Sequence, residues 1–408
     1  MGEGNHFYLP AFTSFTPSAD SMRAMPLRVA YFPDSFHEVN GVAHTSRNFV
    51  AFAQRHGLPF LCVRAGRRAN AFEQEGELRT LELGRSGLAV SLEQDLHFDT
   101  LFFRYRDLIS QTVRDFQPDV IHITGPSELG IFGAYFAWKL GIPLAASWHT
   151  NVHEYAARRM RWLTRHMGNA GKSLDHATET ATLDATSRFY RLAKVLYAPN
   201  PELCALLERK TDRPCYLMQR GVETDLFTPA KRTRGEDGEI VLGYVGRLSV
   251  EKNVALLPRV DAELRARGVA AKWLIIGHGS EEAVLRRELP ESTTFAGVLR
   301  GDTLAEAYAN MDLLVFPSHT DTFGNVVLEA LASGVPAIVT PDGGPAHIVR
   351  DGQTGRVATD AAFAGVIAET LTQPEQFAAM RTAAREYAMG CSWDAVFERV
   401  YAAYPTSR

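Results

Sequence analysis

The chain has few cysteines and no long apolar run. Its four cysteines, Cys62, Cys204, Cys215 and Cys391, are scattered along 408 residues without a closely spaced pair. This distribution argues against a zinc site and against a disulfide framework, so we expect a protein of the reducing cytoplasm. No stretch reaches the roughly 18 consecutive apolar residues that cross a bilayer. Any membrane contact is therefore expected to be peripheral, at the inner face of the membrane.

An excess of charge of either sign is also absent. The 43 Lys and Arg residues nearly balance 47 Asp and Glu residues, and the net charge is −4. The overall charge thus gives no support for a nucleic-acid partner. The first 26 residues lack the continuous apolar core of a signal peptide, and we interpret residues 1–26 as a flexible leader.

Apolar runs alternate with helical stretches in both halves of the chain. Such β-α alternation is typical of parallel sheets covered by helices on both faces. The sequence predicts an α/β protein with two doubly wound, Rossmann-like domains. The predicted strands lie at 28–33, 59–66, 120–126 and 144–150 in the first half, and at 242–247, 273–279, 293–297, 313–318 and 336–340 in the second.

The domain boundary is expected between Gly221 and Glu239, where the polar run AKRTRGEDGE has the composition of a linker. This gives an N-terminal domain at 27–225, a C-terminal domain at 239–390 and a last segment at 391–408 with helical spacing of its apolar residues. Ligands of open α/β sheets bind at the carboxyl ends of the strands. The site is therefore predicted in a cleft between the two domains.

The segment from Leu313 to Gly344 carries two isolated acids, Asp321 and Glu329, on either side of a helix start at Gly324. A helix start offers N–H groups to an anion, and a carboxylate nearby can accept hydrogen bonds from hydroxyls. Phosphate together with hydroxyls indicates a sugar nucleotide, which Phe323 and Asn325 would also contact. The alternative is an ordinary surface helix with a solvated Glu329.

A second candidate motif, GRLSVEKN, follows the first predicted strand of the second half. Gly246 permits a tight turn there, and Arg247 and Lys252 can converge on a pyrophosphate. An exposed turn with solvated cations is the alternative.

In the first half, Gly41 precedes a helix and His149 ends a strand. Glycine is common at such junctions, and a single histidine at a strand end is often structural, so both alternatives stay open.

A basic amphipathic helix is predicted between residues 155 and 174, where no acid occurs. Arg158, Arg161 and Arg165 share one face, and Trp162 lies at its border. These residues suit an anionic membrane surface or a phosphate-bearing acceptor. An ordinary surface helix packed through its apolar side remains the alternative.

The ordered set NGVAHT, SWHTNVHEY, RGVETDLFTP, GRLSVEK and the acid pair resembles the retaining glycosyltransferases of family 4. Similar members include bacterial sulfoquinovosyl-lipid synthase-like enzymes and GDP-mannose-dependent mannosyltransferases. The resemblance implies the GT-B fold, with a last helix that crosses back to the N-terminal domain. It also implies these roles: Gly41 near the diphosphate or acceptor, Arg247 and Lys252 on the diphosphate, His149 and Asp321 at the donor sugar, Glu329 at the ribose, and Gly277 and Val298 on the base and ribose side.

The function implied is transfer of a hexose from a UDP-sugar or GDP-mannose to an acceptor hydroxyl with retention. The acceptor would be a lipid, a glycolipid or a saccharide, and the leaving diphosphate would assist a front-face attack. We expect no cofactor and no metal, because side-chain cations would stabilise the diphosphate. Family members usually have Glu where Asp321 stands. Two alternatives are a GT-B sugar-nucleotide epimerase and a noncatalytic sugar-nucleotide-binding protein.

Overall fold

The computed structural model describes residues 26–38, 41–66, 70–86, 90–91, 97–148, 183–235, 238–321 and 323–405. The chain divides into two compact units. Unit 1 comprises residues 1–217 and 400–408, and unit 2 comprises residues 218–399. The chain therefore leaves unit 1, builds the whole of unit 2, and returns to unit 1 for its last nine residues.

Unit 1 is built on an eight-stranded sheet with the order β10-β9-β8-β7-β1-β2-β4-β3. Every neighbouring pair is parallel except β3 and β4, which form an antiparallel hairpin at one edge. A separate two-stranded ribbon pairs β5 with β6. The elements are β1 (Val29–Phe32), α1 (Gly41–Arg55), β2 (Phe60–Gly66), β3 (Ala71–Glu75), β4 (Leu78–Gly84), β5 (Val90–Ser91), β6 (His97–Phe98), α2 (Arg106–Phe116), β7 (Val120–Ile123), α3 (Glu128–Leu140), β8 (Leu144–Ser147), β9 (Val195–Ala198), α4 (Pro201–Thr211) and β10 (Cys215–Leu217).

Unit 2 is built on a six-stranded, fully parallel sheet with the order β13-β12-β11-β14-β15-β16. The chain moves outward in one direction from β11 to β13 and in the other from β14 to β16. The elements are β11 (Ile240–Val245), α5 (Leu256–Ala266), β12 (Ala271–Ile276), α6 (Glu282–Glu288), β13 (Thr294–Gly297), α7 (Gly301–Ala309), β14 (Leu313–Phe316), α8 (Asn325–Ala332), β15 (Ala337–Val339), α9 (Gly344–Ile348), β16 (Gly355–Val357), α10 (Phe363–Leu371), α11 (Pro374–Met389) and α12 (Trp393–Ala402).

Short, continuous apolar stretches form the central strands because parallel strands are buried on both faces. All four residues of β1, β7 and β14 are buried. The predicted two-domain α/β architecture is confirmed, and each predicted apolar run contains a strand. The sequence analysis did not identify β3, β4, β9, β10 or β16. It also did not foresee the antiparallel edge, where all five residues of β3 are exposed and give no apolar signal.

The division between the units lies at 217/218, a few residues before the expected linker at 221–239. Much of that polar run is tied to unit 2 by its arginines. Arg232 and Arg234 both contact the Asp312 carboxylate, at 3.0 and 2.5 Å. Polar composition here reflects a charge network instead of a free linker, because Asp312 is itself buried and needs cationic partners.

The C-terminal helix α12 begins in unit 2 and ends in unit 1. At its beginning, Trp393 packs so closely on Gly221 that a Cβ at that position would lie 2.5 Å from the indole. Beyond its end, the Tyr404 hydroxyl lies 2.6 Å from Nδ1 of the buried His122, and in its last turn the Val400 carbonyl accepts a hydrogen bond from the Tyr197 hydroxyl. The last residues thereby complete the core of unit 1.

Candidate functional site

The candidate site of unit 2 lies where the strand order reverses, between β11 and β14. These two strands pair directly, with Leu242 opposite Leu313. Loops that follow neighbouring parallel strands at such a reversal diverge and leave a crevice at the carboxyl ends. Gly246 and Arg247 follow β11, and Asp321 lies in the loop after β14. The fold therefore brings two sequence motifs together that are about 70 residues apart in the chain.

A pocket of about 260 Å³ occupies this crevice. It combines a glycine-bearing strand end, a helix start and several charged side chains. Among its described lining residues, three side chains are cationic and one is a carboxylate, so the wall as a whole favours an anionic ligand. The lining comprises Arg220, Val245, Gly246, Arg247, Lys252, Phe316, Asp321, Phe323, Gly324, Asn325 and Val326.

The loops after β11 and β12 pack against each other through glycines beside Arg247. Gly277 has φ +134°, and a Cβ there would lie 1.8 Å from the Gly246 carbonyl oxygen. Gly279 approaches the Leu248 carbonyl in the same way, while Leu248 N donates to the His278 carbonyl at 3.1 Å. Glycine is needed because the two backbones touch. Gly277 is thus placed behind the pocket wall, where it supports Gly246.

Arg247 is the most accessible cation of the pocket. Its side chain is 73% exposed, and its guanidinium lies 3.5 Å from the Glu251 carboxylate. The backbone beneath it is fixed, because the buried Tyr244 hydroxyl donates to the Arg247 carbonyl at 2.8 Å. A fixed backbone with a solvated guanidinium leaves the fork of donors available to an incoming phosphate.

Lys252 and Asp321 form an ion pair within the pocket. Lys252 Nζ donates to Asp321 Oδ1 at 2.7 Å, and both side chains are mostly buried. The second carboxylate oxygen, Asp321 Oδ2, is buried and has no hydrogen-bonding partner among the described residues. A buried acceptor without a partner is costly, so Oδ2 is available to a ligand hydroxyl.

The paired glycines Gly343 and Gly344, which follow β15, fix the backbone of Asp321. Gly344 N donates to the Asp321 carbonyl at 2.7 Å, and Gly343 has φ +78°. A Cβ on Gly343 would lie 2.7 Å from the same carbonyl oxygen. The glycine turn therefore packs directly on the loop that carries the acid.

Helix α8 points its N-terminus into the pocket. Gly324 precedes the helix with φ +92°, and a Cβ there would approach the Pro345 ring at 2.9 Å. The first N–H groups of an α-helix have no intrahelical acceptor and carry the positive end of the dipole. Because Asn325 and Val326 line the pocket, these donors face the same space as Arg247 and Lys252.

Arg220 is a third cation of the pocket that the sequence analysis did not single out. Its guanidinium lies 5.8 Å from the centre of the Phe323 ring. Burial lowers the pKa of Arg220, although a guanidinium stays charged in proteins. No hydrogen-bonding partner of Arg220 is found among the described residues. The signal was present in the motif RGVETDLFTP, where a cation stands at the start of a family-like segment.

Glu329 lies on α8 but does not line this pocket. Its carboxylate accepts a hydrogen bond from the Tyr308 hydroxyl at 2.9 Å. Burial raises the pKa of Glu329 to about 7, and the nearby Glu223 adds to that rise while the Tyr308 hydrogen bond opposes it. The carboxyl group therefore carries a proton for much of the time near neutral pH.

Val298 is not among the described residues that line the pocket, and Gly41 belongs to the other unit of the chain. Val298 follows β13 and is 63% exposed, and Gly41 is the first residue of α1 in unit 1. In the part of the chain that the structure describes, no three His, Cys, Asp or Glu side chains form a metal-binding group, and no helix is long and apolar enough to cross a bilayer. His149, Arg158, Arg161, Trp162 and Arg165 lie outside the described residues, as does the leader before residue 26.

Comparison with known families covers most of the chain. The sequence model of "Glycosyltransferase Family 4" matches residues 39–226, and that of "Glycosyl transferases group 1" matches residues 228–387. A GDP-mannose-dependent alpha-mannosyltransferase of Mycobacterium tuberculosis is 31% identical over 308 residues, which are 73% of this chain and 75% of that protein. The sulfoquinovosyl transferase of Arabidopsis thaliana is 31% identical over 260 residues, which are 61% of this chain and 48% of that protein.

Solved structures show the same fold. Sucrose-phosphate synthase from Thermosynechococcus elongatus superimposes with a TM-score of 0.60 at 18% identity, over 93% of this chain and all of that one. At this identity the likeness concerns the fold, and it agrees with the expected GT-B class. The two family models, together with the relative that is 31% identical across three quarters of its length, identify the family. The chain belongs to glycosyltransferase family 4.

Proposed function

We propose that the protein transfers a hexose from a nucleotide-diphosphate sugar to an acceptor hydroxyl, with retention at the anomeric carbon. The observation that carries this proposal is the pocket of unit 2, where Arg220, Arg247 and Lys252 face the N-terminus of α8. A diphosphate carries at least two negative charges, and this wall offers three cations and backbone donors against one carboxylate. Because the chain belongs to family 4, we take this diphosphate to be that of a sugar nucleotide.

Each charged residue has a distinct role in the proposed reaction. Arg247 and Arg220 hold the diphosphate, and Lys252 stabilises the charge that grows on its oxygens as the sugar departs. Asp321 keeps Lys252 in place through Oδ1. Its Oδ2 accepts a hydrogen bond from a hydroxyl of the transferred sugar. The shorter reach of aspartate fits this double use, since the carboxylate already lies 2.7 Å from Lys252.

The proposed chemistry is a front-face substitution assisted by the leaving group. The bond between the anomeric carbon and the diphosphate oxygen breaks, and a bond to the acceptor oxygen forms on the same face of the sugar. The acceptor proton passes to the departing phosphate oxygen, so no side chain is needed as a base. Side-chain cations supply the charge stabilisation, and the proposal therefore includes no metal ion.

GDP-mannose is the donor that we propose to test first. The mycobacterial relative is named for GDP-mannose dependence, and it shares 31% identity across 73% of this chain. A UDP-linked sugar, the other donor that the family resemblance implies, is the second donor class to test. For the acceptor we propose a lipid-linked or saccharide hydroxyl at the cytoplasmic face of the membrane, on the strength of the basic stretch around Arg158, Arg161 and Arg165.

A binding and turnover panel tests the donor. The melting temperature of the full chain is measured with GDP-mannose, GDP, UDP-glucose and UDP, because a ligand that binds the native state raises it by mass action. Slow release of free sugar and nucleoside diphosphate is measured in parallel. We expect one nucleotide class to stabilise the protein and its sugar to be released. Stabilisation by none of the four would contradict the proposal.

Arg247→Ala separates a role in transfer from a role in folding. Loss of one charge-stabilising donor is expected to lower turnover by about 10²- to 10³-fold, with little change in melting temperature, since Arg247 is mostly exposed. Lys272→Ala is the matched control, because Lys272 is an exposed cation paired with Glu239 outside the pocket. Unchanged turnover in Arg247→Ala would remove the residue from the mechanism. Inversion of the product's anomeric configuration, read by NMR, would remove the front-face route.

A further inference from the structure

His319 lies in the loop after β14, two residues before Asp321, and both of its ring nitrogens face carboxylates. Nδ1 lies 2.8 Å from Asp342 Oδ2, and Nε2 lies 3.0 Å from Asp360 Oδ1. A neutral imidazole has a single N–H and can donate to one of these carboxylates at most. The doubly protonated imidazolium can donate to both carboxylates at once.

The surroundings favour that charged form. The hydrogen bond to Asp342 is the largest cause that raises the pKa of His319 above its ordinary value, and Asp360 adds to it, while partial burial opposes the rise. The two aspartates come from separate elements: Asp342 from the turn after β15, and Asp360 from the loop after β16. His319 thus connects the loops that follow three neighbouring strands.

Asn253 extends this connection to the lysine side of the pocket. Its Nδ2 donates to the Pro317 carbonyl at 3.2 Å and to Asp360 Oδ2 at 3.1 Å, and it lies 3.3 Å from His319 Nε2. Asn253 directly follows Lys252 and has φ +54°, a backbone conformation that Asn tolerates better than most residues. The Asn253 side chain therefore fixes the backbone next to Lys252 through its contacts with Pro317 and Asp360.

Hydrogen bonds around His319 also fix the backbone next to Asp321. Thr320 Oγ1 donates to the Glu251 carbonyl at 3.0 Å, and Thr340 Oγ1 donates to the Ser318 carbonyl at 2.7 Å. Asp342 immediately precedes the Gly343–Gly344 turn, in which Gly344 N binds the Asp321 carbonyl. His319, Asp342, Asp360 and Asn253, here called the His319 network, lie directly behind both partners of the Lys252–Asp321 pair.

We propose that the imidazolium of His319 is a positioning residue that holds Lys252 and Asp321 at the spacing the donor diphosphate requires, so that loss of its proton weakens donor binding. This inference rests on the proposed function, since it concerns the same pocket. The charged groups around the ring are Asp342 and Asp360 in direct contact, with Lys252 and Asp321 beyond them. When the imidazolium loses a proton, the ring keeps a single N–H, which can donate to only one of the two aspartates.

The sign of the pH dependence follows from the direction of the shift. A histidine whose folded pKa is raised stabilises the folded arrangement fully below about pH 6.5, the ordinary value for histidine. That contribution disappears as pH rises through the raised pKa of His319. Donor affinity is therefore expected to fall as pH rises through that raised pKa, and the turnover number at saturating donor is expected to change less than KM.

Three proteins test this inference: the wild type, His319→Gln and His319→Arg. Glutamine has one neutral amide and brings no positive charge to the two carboxylates. Arginine keeps several N–H donors and a permanent positive charge. The dissociation constant for GDP and for UDP, and KM for the donor that is turned over, are measured from pH 5.5 to 9. Loss of a hydrogen bond between charged groups corresponds to an affinity loss of about tenfold.

The expected pattern is specific. The wild type binds the nucleotide well at low pH and about tenfold more weakly at high pH, His319→Gln binds weakly throughout, and His319→Arg binds well throughout. His56→Gln, a histidine substitution in unit 1, should keep the wild-type profile. Wild-type affinity and an unchanged pH profile in His319→Gln would overturn the inference.

A ligand-free measurement separates this outcome from a failure of the proposed function. Melting temperature of the apo proteins is followed over the same pH range. The wild type should lose stability relative to His319→Arg as pH rises, even if no nucleotide binds. A pH step in stability without any step in nucleotide affinity would retain the His319 network as a structural feature and reject its role in positioning the pair.

Discussion

At the scale of single residues, the pocket is defined by which charges already have partners. Asp321 uses one oxygen for Lys252 and leaves the other buried with no partner among the described residues, while Arg247 keeps its guanidinium mostly exposed beside Glu251. The sequence placed Asp321, Lys252 and Arg247 in one site because two motifs followed predicted strands. Arg220 begins the motif RGVETDLFTP but was not singled out, because its place beside Phe323 depends on the tertiary fold of a loop about 100 residues away.

Glu329 gives a prediction about stability and pH. Its pKa is raised from 4.5 to about 7, mainly by burial, so the folded chain binds this proton more tightly than the unfolded chain. Between these two values the folded chain holds the proton and the unfolded chain does not, and stability falls as pH rises. Above about pH 7 this loss is complete and constant.

Glu329→Gln removes that loss, because the amide does not titrate. The melting temperature of the variant minus that of the wild type should be larger at pH 8 than at pH 5. Glu375→Gln, at an exposed position on α11, should show the same difference at both values. An equal difference for Glu329→Gln at pH 5 and pH 8 would contradict the assigned pKa.

At the scale of elements, sequence patterns predicted the central buried strands but missed the exposed edge strand β3 and two buried strands, β4 and β9. The runs at β1, β7, β11 and β14 are apolar because both faces of each strand are covered. The hairpin of β3 and β4 was missed because β3, AFEQE, is exposed along its whole length. The basic helix predicted around Arg161 lies outside the described residues and stays a prediction.

Gly277 tests how closely the loops after β11 and β12 must pack. Gly277→Ala would bring a Cβ within 1.8 Å of the Gly246 carbonyl and impose φ +134° on alanine. We expect a loss of about 1 to 3 kcal/mol in unfolding free energy, together with weaker nucleotide binding, because the loop must move. Denaturant unfolding measures the first effect and nucleotide titration measures the second.

Gly365→Ala is the matched control for that substitution. Gly365 lies inside α10 with ordinary φ, and the nearest atom to its Cβ would be an arginine nitrogen at 3.8 Å. Alanine favours helix over glycine, so this variant should be as stable as the wild type or slightly more stable. If Gly277→Ala is as stable as Gly365→Ala, the close contact between the two loops is not required.

At the scale of the whole molecule, the two units are confirmed as separate compact bodies of the chain, and each is a parallel α/β sheet with helices. The repeated β-α alternation made this class predictable without any tertiary information. The division at 217/218 was not predictable from composition. The polar run after Thr228 resembles a linker, yet its arginines are bound to Asp312 of unit 2.

Tyr404 should be essential for the stability of unit 1 although only four residues of this sequence follow it. Its ring is 4% exposed, packs against Tyr197 and Tyr401, and its hydroxyl contacts His122. Tyr404→Ala removes a buried aromatic ring, which costs about 3 to 5 kcal/mol in well-packed cores. Denaturant unfolding should register the loss, with greater proteolysis of unit 1 than of unit 2.

Met389→Ala provides the comparison for Tyr404→Ala. Met389 is also large and lies near the C-terminus, but it is 45% exposed at the end of α11. Its truncation should change unfolding free energy by less than about 1 kcal/mol, as expected for surface positions. Similar losses in the two variants would mean that the last residues do not complete the core of unit 1.

The return of the chain to unit 1 at Val400 has a consequence for biosynthesis. Residues 218–399 are translated in full before the segment that unit 1 needs, because synthesis proceeds from the N-terminus and domains fold as units. Unit 2 therefore has all of its sequence while the ribosome is still at work. Unit 1, although most of it is made first, acquires Tyr404 only after the whole of unit 2 has been synthesised, so its core is completed later than the sequence of unit 2.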